Sequence, residues 1–421
     1  MTPVYNEYLE YIKAITGDDK LSVLKEGCYW LDRNIIKAFD SEGVLYKIVR
    51  LSLTDELKAS TKWYKIKEFQ PQDWIKTVIL HSTRLDELEK LSLSLINEMV
   101  DLNSDHQPIV LTSTGKDSEV VRHLVSKCTT PRILFNNTSL DCAETYKYAK
   151  SIENIEIINL EEGFYQWRER NNFVPTRMNR ACCDVFKEGA MIKYLNDKEK
   201  CLFFLGMRNE ESNSRSGYQD SWRNSKWDDR DWQGVLPIRE WTEVEVWLYI
   251  LREGIKVNDK YKKGYNRVGC AVACPFYTKT TWALDKYWYP TMYKRWHKIL
   301  DKDFIDNNKD MIMNCTQEEY HHCWNGGVYR PEPTQEIIEE FADRNKLEIH
   351  IAEKYFNHVC VESGCEKKIR SKEIVGMNMK YYGRHINNFK CKKHLMKDLG
   401  IKKEEWVEQV KRFKSQGCDL F

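Results

Sequence analysis

The sequence predicts an α/β protein built on a doubly wound, mostly parallel sheet, with an N-terminal α+β extension and a C-terminal zinc-ribbon-like module. Three observations carry this. Short apolar runs alternate with helical periodicity after Pro108. Residues 1–104 instead mix short helical and strand patterns. Two close Cys/His pairs lie in a basic piece near the C-terminus. The 421 residues suit two or three domains at roughly 150 residues each.

The elements follow in order. Gly43–Leu53 is the best strand candidate of the extension, and 83–102 repeats apolar residues at near-helical spacing. The run 101–108 reads as a loop. Strands are expected at Ile109–Thr112, Ile133–Phe135, Ile155–Leu160 and Cys201–Leu205. Helices are expected from near Glu119, over Ala143–Ile152 and over Thr242–Glu253, the last with Thr242 as N-cap and Glu245 in the capping-box position. In such sheets ligands sit outside the carboxyl ends of the strands. Residues 113–118, 136–139 and 206–215 all fall there and should converge. The aromatic run Trp282–Trp296 has helical spacing and is expected to be a core face rather than a base-stacking platform.

Composition narrows the class. Lys and Arg number 66 against 64 Asp and Glu, a net charge of only +2. The total hides an asymmetry: the last 81 residues net +7 and the first 340 net −5. Most of the excess lies in 356–395, which suits either an anionic partner or a solvated Lys-rich surface. Fourteen cysteines in a chain this long are not a disulfide frame, because a core of this size needs no covalent staples. The polar start, and the lack of any run near the roughly 20 apolar residues of a membrane span, give a soluble cytoplasmic protein with no membrane partner as the expectation.

Ser113-Thr-Gly-Lys-Asp-Ser118 between a strand and a helix is a phosphate-binding arrangement. Gly115 lets the backbone approach phosphate oxygens, and amides at the helix start point at the anion. Lys116 adds charge, and Ser113 and Ser118 add hydroxyls. Asp117 cannot donate to a phosphate, so it either orients the loop or holds a metal such as Mg. The spacing is not that of a Walker loop.

The loop resembles the SxGKDS PP-loop of the ATP pyrophosphatase superfamily, and further segments narrow the resemblance to the phosphoadenosine phosphosulfate (PAPS) reductase family. These are Phe135–Tyr146, Arg180–Lys187, Gly206–Arg215, Leu236–Thr242 with Val246-Trp247, and Gly264–Cys270, in that family's order. The resemblance implies an adenine nucleotide alpha hydrolase-like sheet domain over 105–300, followed by a helical connector (301–345) and a basic zinc-binding-like module (346–421). Residues 1–104 are left for a partner or packing role. It implies nucleotide contacts from Ser113, Thr114, Gly115, Lys116, Asp117, Ser118, Asn137, Thr138, Gly206 and Arg208. Lys116, Asp117, Arg208 and Arg215 fall in the catalytic positions. The arginines suit phosphate clamping, and surface ion pairing is their plainer role. Where the family has Asp-Thr-Gly, this chain has Asn137-Thr-Ser139. The intact Gly-Lys-Asp-Ser resembles members that release pyrophosphate, including DNA phosphorothioation sulfurtransferases, so ATP is favoured over PAPS or adenylyl sulfate (APS).

Cys182-Cys183 and Cys270-x3-Cys274 are soft ligands suited to an iron–sulfur cluster or zinc. Adenylyl-sulfate reductases similarly hold a [4Fe-4S] cluster with a Cys-Cys and a Cys-x-x-Cys pair. The extra residue in the second pair leaves Cys323, or Cys315, as an alternate ligand. Cys360, Cys365, Cys391 and His394 form two close pairs suited to tetrahedral zinc, on a piece that could meet a nucleic-acid backbone. Family reductases act through a C-terminal cysteine; Cys418 is C-terminal too, but lacks the following Gly and His and lies beyond the zinc-like piece rather than directly after the sheet domain. The expected activity is adenylation of a substrate by ATP and sulfur transfer, in nucleic-acid modification, with a cysteine desulfurase as a candidate sulfur donor. Its rivals are a sulfonucleotide reductase that releases sulfite and a non-catalytic nucleic-acid-binding zinc protein.

Overall fold

The computed structural model describes residues 1–307 except 56, 66–68, 178, 196–197, 212–217, 223–226 and 228. Beyond 307 it describes 309, 316–325, 339, 342, 349, 358–362, 365, 367–369, 372–383 and 389–415. Two compact units result, Met1–His297 and Lys298–Phe421.

The first unit opens with an antiparallel sheet in sequence order, made of β1 (Thr2–Pro3), β2 (Tyr29–Asp32), β3 (Ile35–Phe39), β4 (Leu45–Asp55) and β5 (Lys58–Trp63). Helix α1 (Asn6–Thr16) packs on it, burying Tyr8, Leu9, Tyr11 and Ile12, and ends on Gly17 at φ 63°. Helices α2 (Trp74–Leu80) and α3 (Ser82–Leu102) lead to the second sheet.

The second sheet is the doubly wound one. It contains β6 (Gln107–Leu111), β7 (Arg132–Asn136), β8 (Ile155–Ile158), β9 (Cys201–Phe204), β10 (Ser221–Trp222) and β11 (Trp232–Val235), ordered β10-β11-β9-β6-β7-β8. All neighbours run parallel except the edge strand β10. The expected strands are present, and β10 and β11 are additions. Helices α4 (Lys116–Cys128), α5 (Ala143–Lys150), α6 (Phe164–Arg170), α7 (Ala181–Cys183), α8 (Ala190–Tyr194) and α9 (Glu243–Glu253) complete the winding. Thr242 and Glu245 make the reciprocal capping box on α9.

Strand periodicity divides the core between the two sheet faces. Val110, Leu202 and Phe204 point to one face, where they meet Val120, Val121 and Trp247. Trp30, Phe39, Trp74, Leu85 and Leu88 of the extension join that same cluster. Ile109, Cys201 and Phe203 point to the other face with Met191, Trp227 and Trp232. The first hundred residues therefore share a core with the sheet. The Trp282–Trp296 run is largely core, with Leu284 and Trp296 buried and Tyr287 exposed. No helix among the described residues is long and apolar enough to cross a membrane.

The second unit pairs His358–Val359 with Lys368–Ile369 as a short antiparallel hairpin, followed by helices Lys372–Tyr382, Lys392–Leu399 and Lys403–Ser415. It is more helical than a zinc ribbon. Trp406, Val410 and Phe413 of the last helix bury against Met377 and Leu395.

Candidate functional site

The phosphate-type loop is more structured than its sequence suggests. Helix α4 begins at Lys116, not near Glu119, so Lys116, Asp117 and Ser118 form its first turn and Gly115 is its N-cap. The turn is held from beneath. Thr112 Oγ1 accepts from Thr114 N–H at 2.9 Å and donates to buried Glu119 at 2.8 Å. Ser118 Oγ donates to Gly115 O at 2.9 Å. Thr114 adopts φ 59°, and its hydroxyl accepts from Asn258 Nδ2 at 2.9 Å. A left-handed β-branched residue costs about 1–3 kcal/mol and survives only where neighbours fix it.

The charged side chains form one chain of ion pairs. Lys116 is 4 % exposed, with Nζ 2.9 Å from Asp117 Oδ2 and 3.4 Å from Glu243 Oε1. Arg208, also 4 % exposed, places Nε 2.6 Å from Asp117 Oδ1 and Nη1 2.8 Å from Glu210 Oε2. Burial works to raise the Asp117 carboxyl, but Lys116 and then Arg208 hold it below the usual carboxylate range. Asp117 thus gives both oxygens to cations, as an orienting residue does. Gly206, at the end of β9, lies so close that a Cβ there would stand 2.8 Å from the Asp117 carbonyl carbon and 2.9 Å from Ser118 N.

A cavity of about 480 Å³ opens at the carboxyl ends of β6, β7 and β9. That volume is in the range of small-molecule sites. Ser113, Gly115, Lys116, Asp117, Ser118, Thr138 and Gly206 line it. Thr114, Asn137 and Arg208 are not in its wall. Asn137 instead fastens its own loop, donating to Asn159 Oδ1 at 2.7 Å and accepting from Tyr146 OH at 2.8 Å. Arg215 lies outside the described residues. The wall also contains Lys187, the end of the Arg180–Lys187 segment, and three residues whose role the sequence did not signal: Asp141, Tyr261 and Arg267. Tyr261 OH accepts from Lys116 N–H at 2.8 Å, and Thr138 Oγ1 donates to Asp141 at 2.7 Å. Such isolated residues carry no local pattern, so only the fold reveals them.

The first cysteine set gathers around Lys187. Cys270, then Cys183 and Cys274, raise Lys187 to about 12 against its burial. A hydrogen bond with Cys182 lowers Cys183 to about 6 despite burial, and Lys187 and Arg180 add to the effect. That same hydrogen bond, with burial, pushes Cys182 up. Between Cys270 and Cys274 the backbone turns left-handed at Val272, with φ 52°. Val272 N–H donates to buried Asp285 at 3.0 Å, and Ala271 N–H donates to Leu140 O at 2.9 Å. Paired cysteines of this kind are soft donors whose chemistry suits an iron–sulfur cluster or zinc. The Cys323 side chain, Cys315 and Cys418 lie outside the described residues.

The second set is tighter. The ligand atoms of Cys360, Cys365, Cys391 and His394 all lie within 4.8 Å of one another, as in no other described group. Cys360 Sγ is 3.2 Å from His394 Nδ1, and Cys365 Sγ is 4.0 Å from Cys391 Sγ. Tetrahedral bonds of roughly 2.3 Å put sulfurs about 3.8 Å apart, so the donors fit one ion. Cys391 is the N-cap of the helix Lys392–Leu399, which brings His394 onto the same side.

Residues 107–275 match the phosphoadenosine phosphosulfate reductase domain. An uncharacterized protein of Methanocaldococcus jannaschii is 25 % identical over 66 % of this chain and 65 % of its own length. A second from that organism is 31 % identical over 46 % of this chain and 41 % of its own. The chain therefore spans less than two thirds of either. Sulfate adenylyltransferase subunit 2 of Akkermansia muciniphila is 26 % identical over 42 % of this chain and 68 % of that protein. Among solved structures, phosphoadenylyl-sulfate reductase from Candida auris aligns with 44 % of this chain and 93 % of that one, at 16 % identity and a TM-score of 0.34.

Proposed function

We propose, on the match of residues 107–275 to the phosphoadenosine phosphosulfate reductase domain, that this chain is an ATP-using PP-loop enzyme that adenylates a substrate and replaces the activated oxygen by sulfur. One observation supports this above others. Cys270 Sγ lies 3.9 Å from Thr138 Oγ1, and Thr138, Lys187 and Gly269 all line the cavity beside the loop. Phosphate and sulfur chemistry would then face one space.

ATP would lie with its phosphates on the amides of 115–118. A substrate oxygen attacks the α-phosphorus, and the bond to the bridging oxygen breaks with its electron pair leaving on pyrophosphate. Lys116 and the loop amides stabilise the charge that grows on the phosphates, while Asp117, pinned by Arg208, keeps Lys116 in place. A hydrosulfide-level nucleophile then attacks the activated carbon; the carbon–sulfur bond forms and AMP departs with the oxygen. A [4Fe-4S] cluster on Cys182, Cys183, Cys270 and Cys274 would supply a soft site for that sulfur. Zinc on Cys360, Cys365, Cys391 and His394 would fold the second unit, whose basic surface suits a nucleic-acid partner. A cysteine desulfurase would supply the sulfur as a persulfide, which a pair of thiols reduces to the hydrosulfide level while becoming a disulfide, and the setting is the cytoplasm.

The test is an anaerobic preparation assayed for iron, sulfide and pyrophosphate release from ATP in the presence of nucleic acid. Iron with pyrophosphate release is expected. Sulfite release from PAPS or APS without pyrophosphate would replace this function with a reductase.

A further inference from the structure

The two segments that carry the first cysteine set are basic within an acidic body. Residues 177–187 and 266–279 hold five basic residues and one acidic one, whereas the first 340 residues net −5. Arg177, Arg180 and Arg267 are exposed. Arg132, Arg170, Arg208, Arg239 and Arg252 each hold a carboxylate. Among the described residues none lies within 4.0 Å of Arg177, Arg180 or Arg267.

An aromatic ring sits among them. Phe276, two residues beyond Cys274, is 45 % exposed although Pro275 and Tyr277 on either side are buried. The Arg180 guanidinium lies 5.1 Å from its ring centroid. Arg177 Nε donates to Pro275 O at 3.3 Å, so the arginine segment is tied to the ring's own loop. Arg267 stands in the wall of the cavity. The result is a platform of guanidinium planes and one open ring at the thiol side of the cavity.

We propose that this rim binds the acceptor as a single-stranded nucleic-acid segment, its phosphates on Arg177, Arg180 and Arg267 and a base stacked on Phe276. Charge selects an anion, and the open Phe276 ring beside Arg180 selects one with flat aromatic groups, which an acidic polypeptide lacks. The function assigned to the rim rests on the ATP-using sulfur transfer proposed above; the binding itself does not.

The test uses the full chain and a fluorescein-labelled single-stranded oligonucleotide, as DNA and as RNA, followed by fluorescence anisotropy across a salt series. Binding should weaken with salt by a log–log slope of about 0.7 per phosphate contact. The double variant Arg177→Gln/Arg180→Gln should lower that slope by about 1.4. Phe276→Ala should weaken binding by about fivefold or more. Unchanged binding in both variants overturns the proposal. So does polyglutamate competing as well as the oligonucleotide, or binding that is lost only in Lys393→Gln/Lys397→Gln of the second unit. ATP binding is measured on the same preparations. Wild type that binds ATP while its oligonucleotide binding ignores the rim variants sinks the rim alone. Wild type that binds oligonucleotide through the rim but no ATP sinks the nucleotide function alone.

Discussion

Arg208 donates Nε–H to Asp117 Oδ1 at 2.6 Å across 91 residues of sequence. The contact joins the end of β9 to the first turn of α4, and it leaves the other Asp117 oxygen for Lys116 Nζ at 2.9 Å. A nearly buried carboxylate between two nearly buried cations makes the loop a single electrostatic unit.

Asp117→Ala leaves both cations without their shared anion. Breaking a buried pair in this way costs about 3–5 kcal/mol, read as a lowered urea midpoint. ATP should reduce the loss, because its phosphates supply negative charge at the same place. The pH dependence has a definite sign. The folded carboxyl is depressed by Lys116 and Arg208 against burial, so its contribution is present above the ordinary aspartate range and is lost as pH falls through the lower folded value. Asp117→Asn should flatten that acid limb of the stability profile.

Gly206→Ala should damage the site with little change elsewhere. The added Cβ would meet backbone of Asp117 and Ser118 at 2.8 and 2.9 Å, and backbone cannot swing aside as a side chain can. Overpacking of this kind costs about 1–3 kcal/mol. Thermal unfolding should show that loss, and calorimetry should show weakened ATP binding.

Val272→Gly should lower stability modestly. Relief of the φ 52° strain, about 1–3 kcal/mol, is outweighed by the loss of a side chain only 1 % exposed, about 1.5–3 kcal/mol before any cavity. Glycine also adds freedom to the unfolded chain, while the N–H to Asp285 is kept. Iron content per chain should be unchanged. A fall in iron would mean that the valine side chain, and not just its backbone, shapes the span from Cys270 to Cys274.

Chelation should act on the second unit first. Its hairpin has two residues in each strand, and a small cluster that includes Cys360 and Cys391 packs around it. Metal binding in such modules is folding free energy. Zinc removal, or Cys391→Ser, should therefore expose sites in 358–415 to protease while the first unit keeps its ATP binding. Limited proteolysis with mass spectrometry reads this directly.

The sheet was legible because apolar strands and helical periodicity are local signals. Two strands escaped: Ser221–Trp222, only two residues long, and Trp232–Val235, in which Gln233 and Gly234 interrupt the apolar run. The loop was legible as a phosphate cradle, yet the helix start was placed three residues late. Lys116 and Asp117 look like loop residues until their charges are seen to be paired. Arg208 was expected as a phosphate clamp and is held by Asp117 and Glu210. Asn258 and Tyr261 were not anticipated, since each acts on the loop from far along the chain, through Thr114 and the Lys116 amide. The zinc-type set was legible from spacing alone, because its two pairs are each close in sequence.

The central claim is that the cavity at 113–118 takes ATP. Calorimetric titration with ATP, repeated with pyrophosphate present and repeated on Lys116→Met, tests it most directly. The expected result is one ATP per chain, displaced by pyrophosphate and weakened roughly tenfold or more when the buried ammonium is lost. Absence of ATP binding, or binding that ignores both pyrophosphate and Lys116→Met, would contradict it.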